Sequence, residues 1–424
     1  MEFYNFVSLF GIAFFIALAY VLSTDRRRVN WHVVVWGLSL QMLMAWFLFV
    51  FPAGVKFFMI INSAVVKIMD SGLVGARFVF GSLALSPGTQ LDGQQSTGFI
   101  LAFQALPLII FFSALMSILY FLNIMQRIIK AFAYLFTKLM RVSGAESFCA
   151  ASNIFVGVES ILTIKPYLKN MTKSELCTVL AAGMATVSSS MLAVYVFSLK
   201  ELFPSIAGHL VCASFLSAPA ALAMSKVLLP ETGSPETLGE AINPEVSVDN
   251  NLIEAIINGS QAGAKLVFGI VALLIAVLGL VALMDQILSL IGLWSLKDIL
   301  GYVFYPFTVI LGIPPSDAVY LSKIIGERVI VTELTAYQDL AKLMAQDILQ
   351  HPRSAVITTY ALCGFAHVAS MSIFIGGISA LVPEKIPILS EVGFKALLAA
   401  TLACLLTACV AGVYFTPQLS RILM

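Results

Sequence analysis

Long apolar runs separated by short polar stretches organise this chain. Eight of them approach the roughly 20 residues needed to cross a bilayer, at about 4–23, 31–52, 98–124, 175–199, 205–229, 262–294, 355–382 and 391–416. The first, Phe6 to Leu22, lacks a small-residue cleavage site and reads as a span, not a signal peptide. Arg26, Arg27 and Arg28 follow it and belong in the cytoplasm by the positive-inside rule, which puts the N-terminus outside and, after eight spans, the C-terminus too.

Between these runs the periodicity changes. From Val55 to Phe80, Lys56, Lys67, Asp70 and Arg77 alternate with Phe and Ile at helical spacing, the pattern of an amphipathic helix lying on a bilayer. Residues 125–141 read the same way, with Arg127, Lys130, Lys138 and Arg141. The stretch 231–251, rich in Glu, Pro, Gly and Asn, is a linker. It separates two halves with one plan: a short segment, a turn, a second short segment with a glutamate, a polar loop and two spans. Short segments that enter and leave on the same side are re-entrant hairpins, tolerated where their tips are buried in protein or line a cavity. The expected fold is therefore an all-α polytopic membrane protein of about eight transmembrane helices, with two re-entrant hairpins in an inverted repeat and an interfacial amphipathic helix. The expected units are 1–142 (N-terminal helices and scaffold), 143–230 (first repeat), 231–312 (linker and long scaffold helix) and 313–424 (second repeat).

Composition agrees. The chain is 60% hydrophobic and 11% charged with a mean hydropathy of +0.97, where a soluble domain carries about 25% charged residues. A net charge of +1 gives no reason to expect nucleic acid as a partner. The six cysteines show no CxxC or zinc spacing and read as small packing residues. No Walker A, GxSxG or HExxH motif occurs, so neither an ATP-driven pump nor an intramembrane hydrolase is indicated, and no cofactor is expected.

The chemistry that stands out is acidic. Glu159 lies in NIFVGVESILTIKPYL (Asn153 to Leu168) and Glu333 in IGERVIVTELTAYQDL (Ile325 to Leu340). A carboxylate at bilayer depth costs roughly 2.5–3.5 kcal/mol on insertion scales and generally marks function. After each comes an apolar helix interrupted by small and polar residues, GMATVSSS (Gly183 to Ser190) and CGFAHVAS (Cys363 to Ser370). Paired interruptions in two halves point to the binding site of a secondary transporter. In the first hairpin Gly157 is expected to permit the tight tip. Asn153 and the hydroxyls of Thr186, Ser188, Ser189 and Ser190, with carbonyls freed by unwinding, form a hard-oxygen set suited to sodium. In the second, Glu327 reads as a structural ion pair with Lys323 or Arg328, which leaves Glu333 as the site carboxylate. His367 sits mid-span beside Ser370.

At these residues the chain resembles the concentrative nucleoside transporter family. SNIFVG, KPYL, MATVS, PAALAMSKVLLPE, TELTAYQDL, TTYALCGFA and GGISALVP are similar to its signature stretches and occur in the same order. The resemblance implies a homotrimer in the plasma membrane, the inner membrane of a bacterium. It implies a scaffold and a mobile transport domain in each subunit, elevator-type movement, and nucleoside import coupled to sodium or, in some members, protons. Sodium ligands carried over are Asn153, the Val156 carbonyl, Thr186 and the Val187 carbonyl. Substrate-binding positions carried over are Val158, Glu159, Met191, Glu333, Phe365, His367 and Ser370.

The chain also departs from the family pattern. The family's first hairpin reads Gly-Gln-Thr-Glu-Ala-Pro, whereas here Gly157-Val158-Glu159-Ser160-Ile161 is one residue shorter, with valine in place of the Gln/Thr pair that meets the base. His367 and Thr332 stand where the family has asparagines. Losing base-edge hydrogen bonds relaxes discrimination, so a less base-specific pocket, or a nucleoside analogue as ligand, is expected. A proton-coupled carrier and a non-transporting membrane sensor remain as alternatives.

Overall fold

A computed structural model describes residues 3–86, 88–91, 93–243 and 249–416. Part of the linker (244–248) and the end of the second repeat (417–424) lie outside the described residues. The N-terminal helices are α1 (Phe3–Val21), α2 (Trp31–Phe49), α3 (Pro52–Phe80), α4 (Leu101–Gln104), α5 (Pro107–Phe121) and α6 (Ile124–Met140). Next come α7 (Gly144–Asn153), α8 (Ser160–Thr163), α9 (Lys165–Leu168), α10 (Lys173–Ala185), α11 (Ser189–Leu199) and α12 (Ile206–Leu228). The remainder is α13 (Leu252–Leu290), α14 (Leu296–Ile310), α15 (Pro315–Glu327), α16 (Glu333–Ala345), α17 (Pro352–Leu362), α18 (Val368–Leu381) and α19 (Ile386–Tyr414). Two two-residue strands, Gln90–Leu91 and Gln94–Gln95, pair between α3 and α4.

Among the described residues eight helical segments are long and apolar enough to cross a membrane. The number matches the expectation, but the membership does not. Pro52–Ala84 is among them, whereas the run 355–382 is two shorter helices, α17 and α18, parted at residues 363–367. The span expected at 262–294 starts ten residues earlier, at Leu252, because the Asn251 side chain caps the helix by accepting the Glu254 N–H.

Helix α3 buries one stripe, Gly54, Phe58, Met69, Gly72, Leu73 and Ala76, at the spacing of an amphipathic helix. Its neighbours are helix ends. Phe58 packs on Phe49, the last residue of α2, and on His209 near the start of α12. Asn62 donates to the Pro204 carbonyl at 3.1 Å and accepts the Gly208 N–H at 2.9 Å. Asp70 meets Lys200, just past α11, at 3.1 Å. Gly72 packs on Leu108 and Phe111 in the first turns of α5. The helix lies across one end of the bundle.

Burial sorts the long helices. In α19, 94% of the most apolar stretch is inside the molecule, against 6% in α13. Helix α19 packs against α10, α12 and α17 and forms the centre, while α13 runs along α5 on the outside. The base of α7 is fastened by a buried cation: Lys226 of α12 pairs with Glu146 at 2.6 Å and with Glu231 at 3.2 Å. Burial raises the Glu231 carboxyl, but the Lys226 ammonium together with the Gly233 N–H and the Thr172 hydroxyl outweighs it and holds the group below the usual carboxylate range.

Candidate functional site

Two helix pairs with the same local bonding build the site. The first is α7, a turn at residues 154–159, and α8–α9; the second is α15, a turn at 328–332, and α16. Each tip is tied to the interruption in a later helix. The Ser189 N–H, first in α11, donates to the Phe155 carbonyl at 3.0 Å; the Val368 N–H, first in α18, donates to the Val329 carbonyl at 3.2 Å. Both acceptors lie two residues past the end of the hairpin's first helix. Both restarted helices are capped by the preceding side chain: Ser188 accepts the Met191 N–H, and His367 Nδ1 accepts the Ser370 N–H at 3.2 Å. The interruptions themselves touch. Gly364, at φ +149°, lies so close to the Met184 and Ala185 carbonyls that a Cβ would come within about 3.0 Å of the latter.

A cavity of about 620 Å³ opens between the first tip and the α5–α13 pair. Of the expected substrate residues it is lined by Val158, Glu159, Met191 and Phe365, and of the expected ion residues by Val156, Thr186 and Val187. The walls are largely apolar, with Tyr120, Leu162 and Phe374 contributing, and Ser113 of α5 bonds Ser190 across the rim at 3.1 Å. Glycine freedom is not what shapes this tip. Gly157 has no positive φ, and a Cβ there would meet nothing closer than 3.4 Å, so the turn follows from chain termination and the Ser189–Phe155 bonds.

Glu333, His367 and Ser370 are not on the cavity wall but form a cluster behind it, each no more than 1% exposed. Tyr195, which does line the cavity, donates its hydroxyl to Glu333 Oε1 and stacks on Tyr337 at 4.7 Å. His367 Nε2 faces Glu333 Oε2 at 3.2 Å, off the alignment of a hydrogen bond. Because Nδ1 accepts a backbone N–H, a neutral His367 carries its proton on Nε2, toward the carboxylate. The Ser370 hydroxyl is engaged by the interruption's own backbone, donating to the Phe365 and His367 carbonyls. Tyr195 was not among the expected site residues. Its signal was a hydroxyl inside the apolar run LAVYVF, which needs a buried partner.

Beneath the first tip, Asn153 is buried and outside the cavity lining. Its amide donates to the Cys149 carbonyl at 3.0 Å, while Oδ1 accepts from Ser160 at 2.9 Å. The Thr186 hydroxyl spends its hydrogen on the Ala182 carbonyl at 3.0 Å, and the Val187 carbonyl accepts from Ser214 at 3.2 Å. What these groups leave uncommitted is oxygen lone pairs, the chemistry a hard cation takes.

Glu327 is ion-paired as expected, but with other partners. It pairs with Lys297 of α14 at 2.6 Å, and Lys297 also meets Asp339. Lys323 pairs with Asp298 at 2.6 Å, and Arg328 turns inward and is fully buried. Successive helical side chains point about 100° apart, so sequence neighbours do not face each other. All six cysteines are free and buried.

Comparison with known proteins gives one answer. Residues 10–83 and 209–412 match the family profiles described as the N- and C-termini of Na+ dependent nucleoside transporters, and residues 102–202 match one described as nucleoside recognition. Solute carrier family 28 member 3 of Mus musculus is 36% identical over 96% of this chain, which spans 59% of that relative's length. Nucleoside permease NupC of Helicobacter pylori is 34% identical over 98% of this chain and 99% of its own. The solved structure of CNTnw in an inward-facing substrate-bound state superposes with a TM-score of 0.88, at 32% identity, over 97% of this chain and 98% of the other.

Proposed function

Since this chain belongs to the concentrative nucleoside transporter family, we propose that it imports nucleosides or close analogues by sodium symport. The observation that carries the proposal is the meeting of the first hairpin tip with the α10–α11 interruption, beside a cavity of about 620 Å³ and above a set of lone-pair donors. Sodium at Asn153, Val156, Thr186 and Val187 fixes the tip against the interruption. The tip in turn presents Val158 and Glu159 to the base, with Met191 as an apolar support. The ribose hydroxyls are read from the Glu333, His367 and Ser370 side, with Tyr195 and Phe365 between that cluster and the cavity. Tyr195 then swings aside or bridges, since Glu333 has no direct exposure to the cavity. Ion and substrate stabilise the same tip, so each raises the other's affinity by one shared coupling free energy.

Helix lengths support re-entrance: α7 has 10 residues and α15 has 13, about 15–20 Å at 1.5 Å per residue, short of a bilayer core of about 30 Å. The matched backbone bonds support a repeat, and the path of α3 across helix ends supports an interfacial helix. On this reading 143–230 and 313–424 move together as the transport domain, elevator fashion, against a scaffold of 1–142 and 231–312. The exposed apolar length of α13 suits a contact with further copies in a homotrimer as well as with lipid. Relatives such as the Helicobacter permease favour a bacterial inner membrane.

Thermal stability of the purified protein against a nucleoside panel, in sodium or choline at equal ionic strength, tests the proposal. A ligand that binds the folded state raises the melting temperature by mass action. Stabilisation by uridine or adenosine only in sodium is the expected result. Stabilisation by sodium with no nucleoside effective would overturn the substrate. Stabilisation by nucleosides equally in choline would overturn the coupling ion and favour the proton-coupled carrier, with His367 or Glu159 as the proton site.

A further inference from the structure

Two arginines are fully or nearly fully buried, and they are bonded very differently. Arg353, 3% exposed, donates to the carbonyls of Tyr4, Gly312 and Gly412 and to the side chains of Asn5 and Ser8. That is a saturated structural clamp. Arg328, 0% exposed, donates through Nη1 to the Ala361 carbonyl at 3.0 Å; among the described residues Nε and Nη2 meet no oxygen or nitrogen acceptor, and the Cys404 sulfur lies beside the guanidinium. A buried cation so sparsely bonded is costly unless its charge is used.

Its position shows what the charge meets. Ala361 is in the last turn of α17, where the final carbonyls of a helix carry the negative end of its dipole. Cys404, whose thiol donates to the Cys363 carbonyl at 3.0 Å, lies within electrostatic reach of both Arg328 and Glu333. The hydrogen bonds that match the two halves, Ser189 to Phe155 and Val368 to Val329, put α17 in register with α10 and α15 with α7. In that register Arg328, the residue after α15, corresponds to Ile154, the residue after α7. The end of α10, at Thr186 and Val187, is where the proposed sodium sits. In the same register Ala361, whose carbonyl takes the guanidinium, corresponds to Ala182, whose carbonyl takes the hydroxyl of the proposed sodium ligand Thr186.

We propose that Arg328 is a built-in cation that takes, in the second half, the place the coupling sodium takes in the first. The inference rests on the sodium reading of the first half. The second interruption then has no ion site of its own, the hairpin that carries Glu333 stays locked to α17 without an ion, and one sodium accompanies each nucleoside. A free ion reports the gradient from one hairpin; a tethered one holds the other permanently in its binding shape.

The test is sodium-dependent nucleoside binding, read by thermal stabilisation with uridine and adenosine, for the wild type and for Arg328→Lys, Arg328→Met and Arg328→Ala. The wild type should follow sodium with a Hill coefficient of about one. Lysine should keep nucleoside affinity near the wild-type value. Methionine, of similar length and able to pack, and alanine should each lose at least about tenfold, the scale of a buried charge-assisted hydrogen bond. Millimolar guanidinium should restore Arg328→Ala without affecting the wild type, or sodium should do so with a steeper dependence. Methionine binding nucleoside with wild-type affinity would overturn the proposal, as would an alanine variant that neither cation recovers. If the alanine variant does not fold, the lysine–methionine contrast decides alone. A wild type indifferent to sodium would defeat the sodium reading separately, since that arm does not involve Arg328.

Discussion

At the first hairpin tip Glu159 is exposed, Val158 is half-buried and both line the cavity; at the second, Glu333 is 1% exposed and Arg328 and His367 are fully buried. The backbone plan is shared, down to the bond from each restarted helix to a carbonyl two residues past the first hairpin helix. The side chains divide the labour. The second half carries its own carboxylate, imidazole and guanidinium in buried positions, whereas the first offers neutral oxygens and an open acid. On the proposed function, a site assembled from both has one wall set in advance and one that sodium completes, so that a gradient can act on the binding of a neutral solute.

That contrast can be broken most severely at the carboxylates. Glu333→Gln should reduce nucleoside uptake by about 100-fold or more, because Tyr195 and His367 are left facing a group that cannot carry the charge. Glu159→Gln, at an exposed position, should cost about tenfold or less. Radiolabelled uptake at matched expression separates the two, and equal losses would refute the division.

The glycines give the next contrast. Gly364→Ala should destabilise the protein by about 2–4 kcal/mol, from the positive φ and the contact with the Ala185 carbonyl. Gly157→Ala should stay within about 1 kcal/mol. Melting temperatures in detergent report both.

Asn153→Ala or Thr186→Ala should shift the sodium concentration for half-maximal binding by about tenfold while leaving nucleoside affinity at saturating sodium within a few-fold. Wild-type sodium activation in both would remove the ion from this site. Val158→Thr returns one hydroxyl to the base side and should widen the spread of affinities among uridine, adenosine and inosine by about tenfold at most. Sharply different affinities already in the wild type would contradict the relaxed pocket.

The smallest effect is on acid stability. The Glu231 carboxyl titrates below its unfolded value beside Lys226, so its contribution is present above that unfolded value, near 4.3, and is lost as the pH falls through the folded one. Glu231→Gln should flatten the acid limb of the stability profile below about pH 4.3 and leave the neutral range shallow.

Much of this was legible in the sequence because bilayer helices expose their exceptions. The acids Glu159 and Glu333 and the interruptions around Thr186 and His367 stand out in apolar runs, and the structure bonds the tips before those acids to those interruptions. The amphipathic stripe of α3 was equally readable. Orientation was not. Arg328 beside Glu327 reads as one half of a structural ion pair until helix geometry turns Glu327 to Lys297 and Arg328 inward to Ala361. The Tyr195 hydroxyl in its apolar run calls for a buried partner, but which one is settled only when α16 brings Glu333 to it. These contacts join residues 33 and 138 positions apart, beyond the reach of local pattern.

The most direct test of sodium-driven nucleoside import is accumulation in proteoliposomes. With sodium outside and choline inside, labelled uridine or adenosine should rise above its equilibrium level and fall back when a sodium ionophore collapses the gradient. Uptake that stops at equilibrium, or that follows a proton gradient in the absence of sodium, would contradict the account.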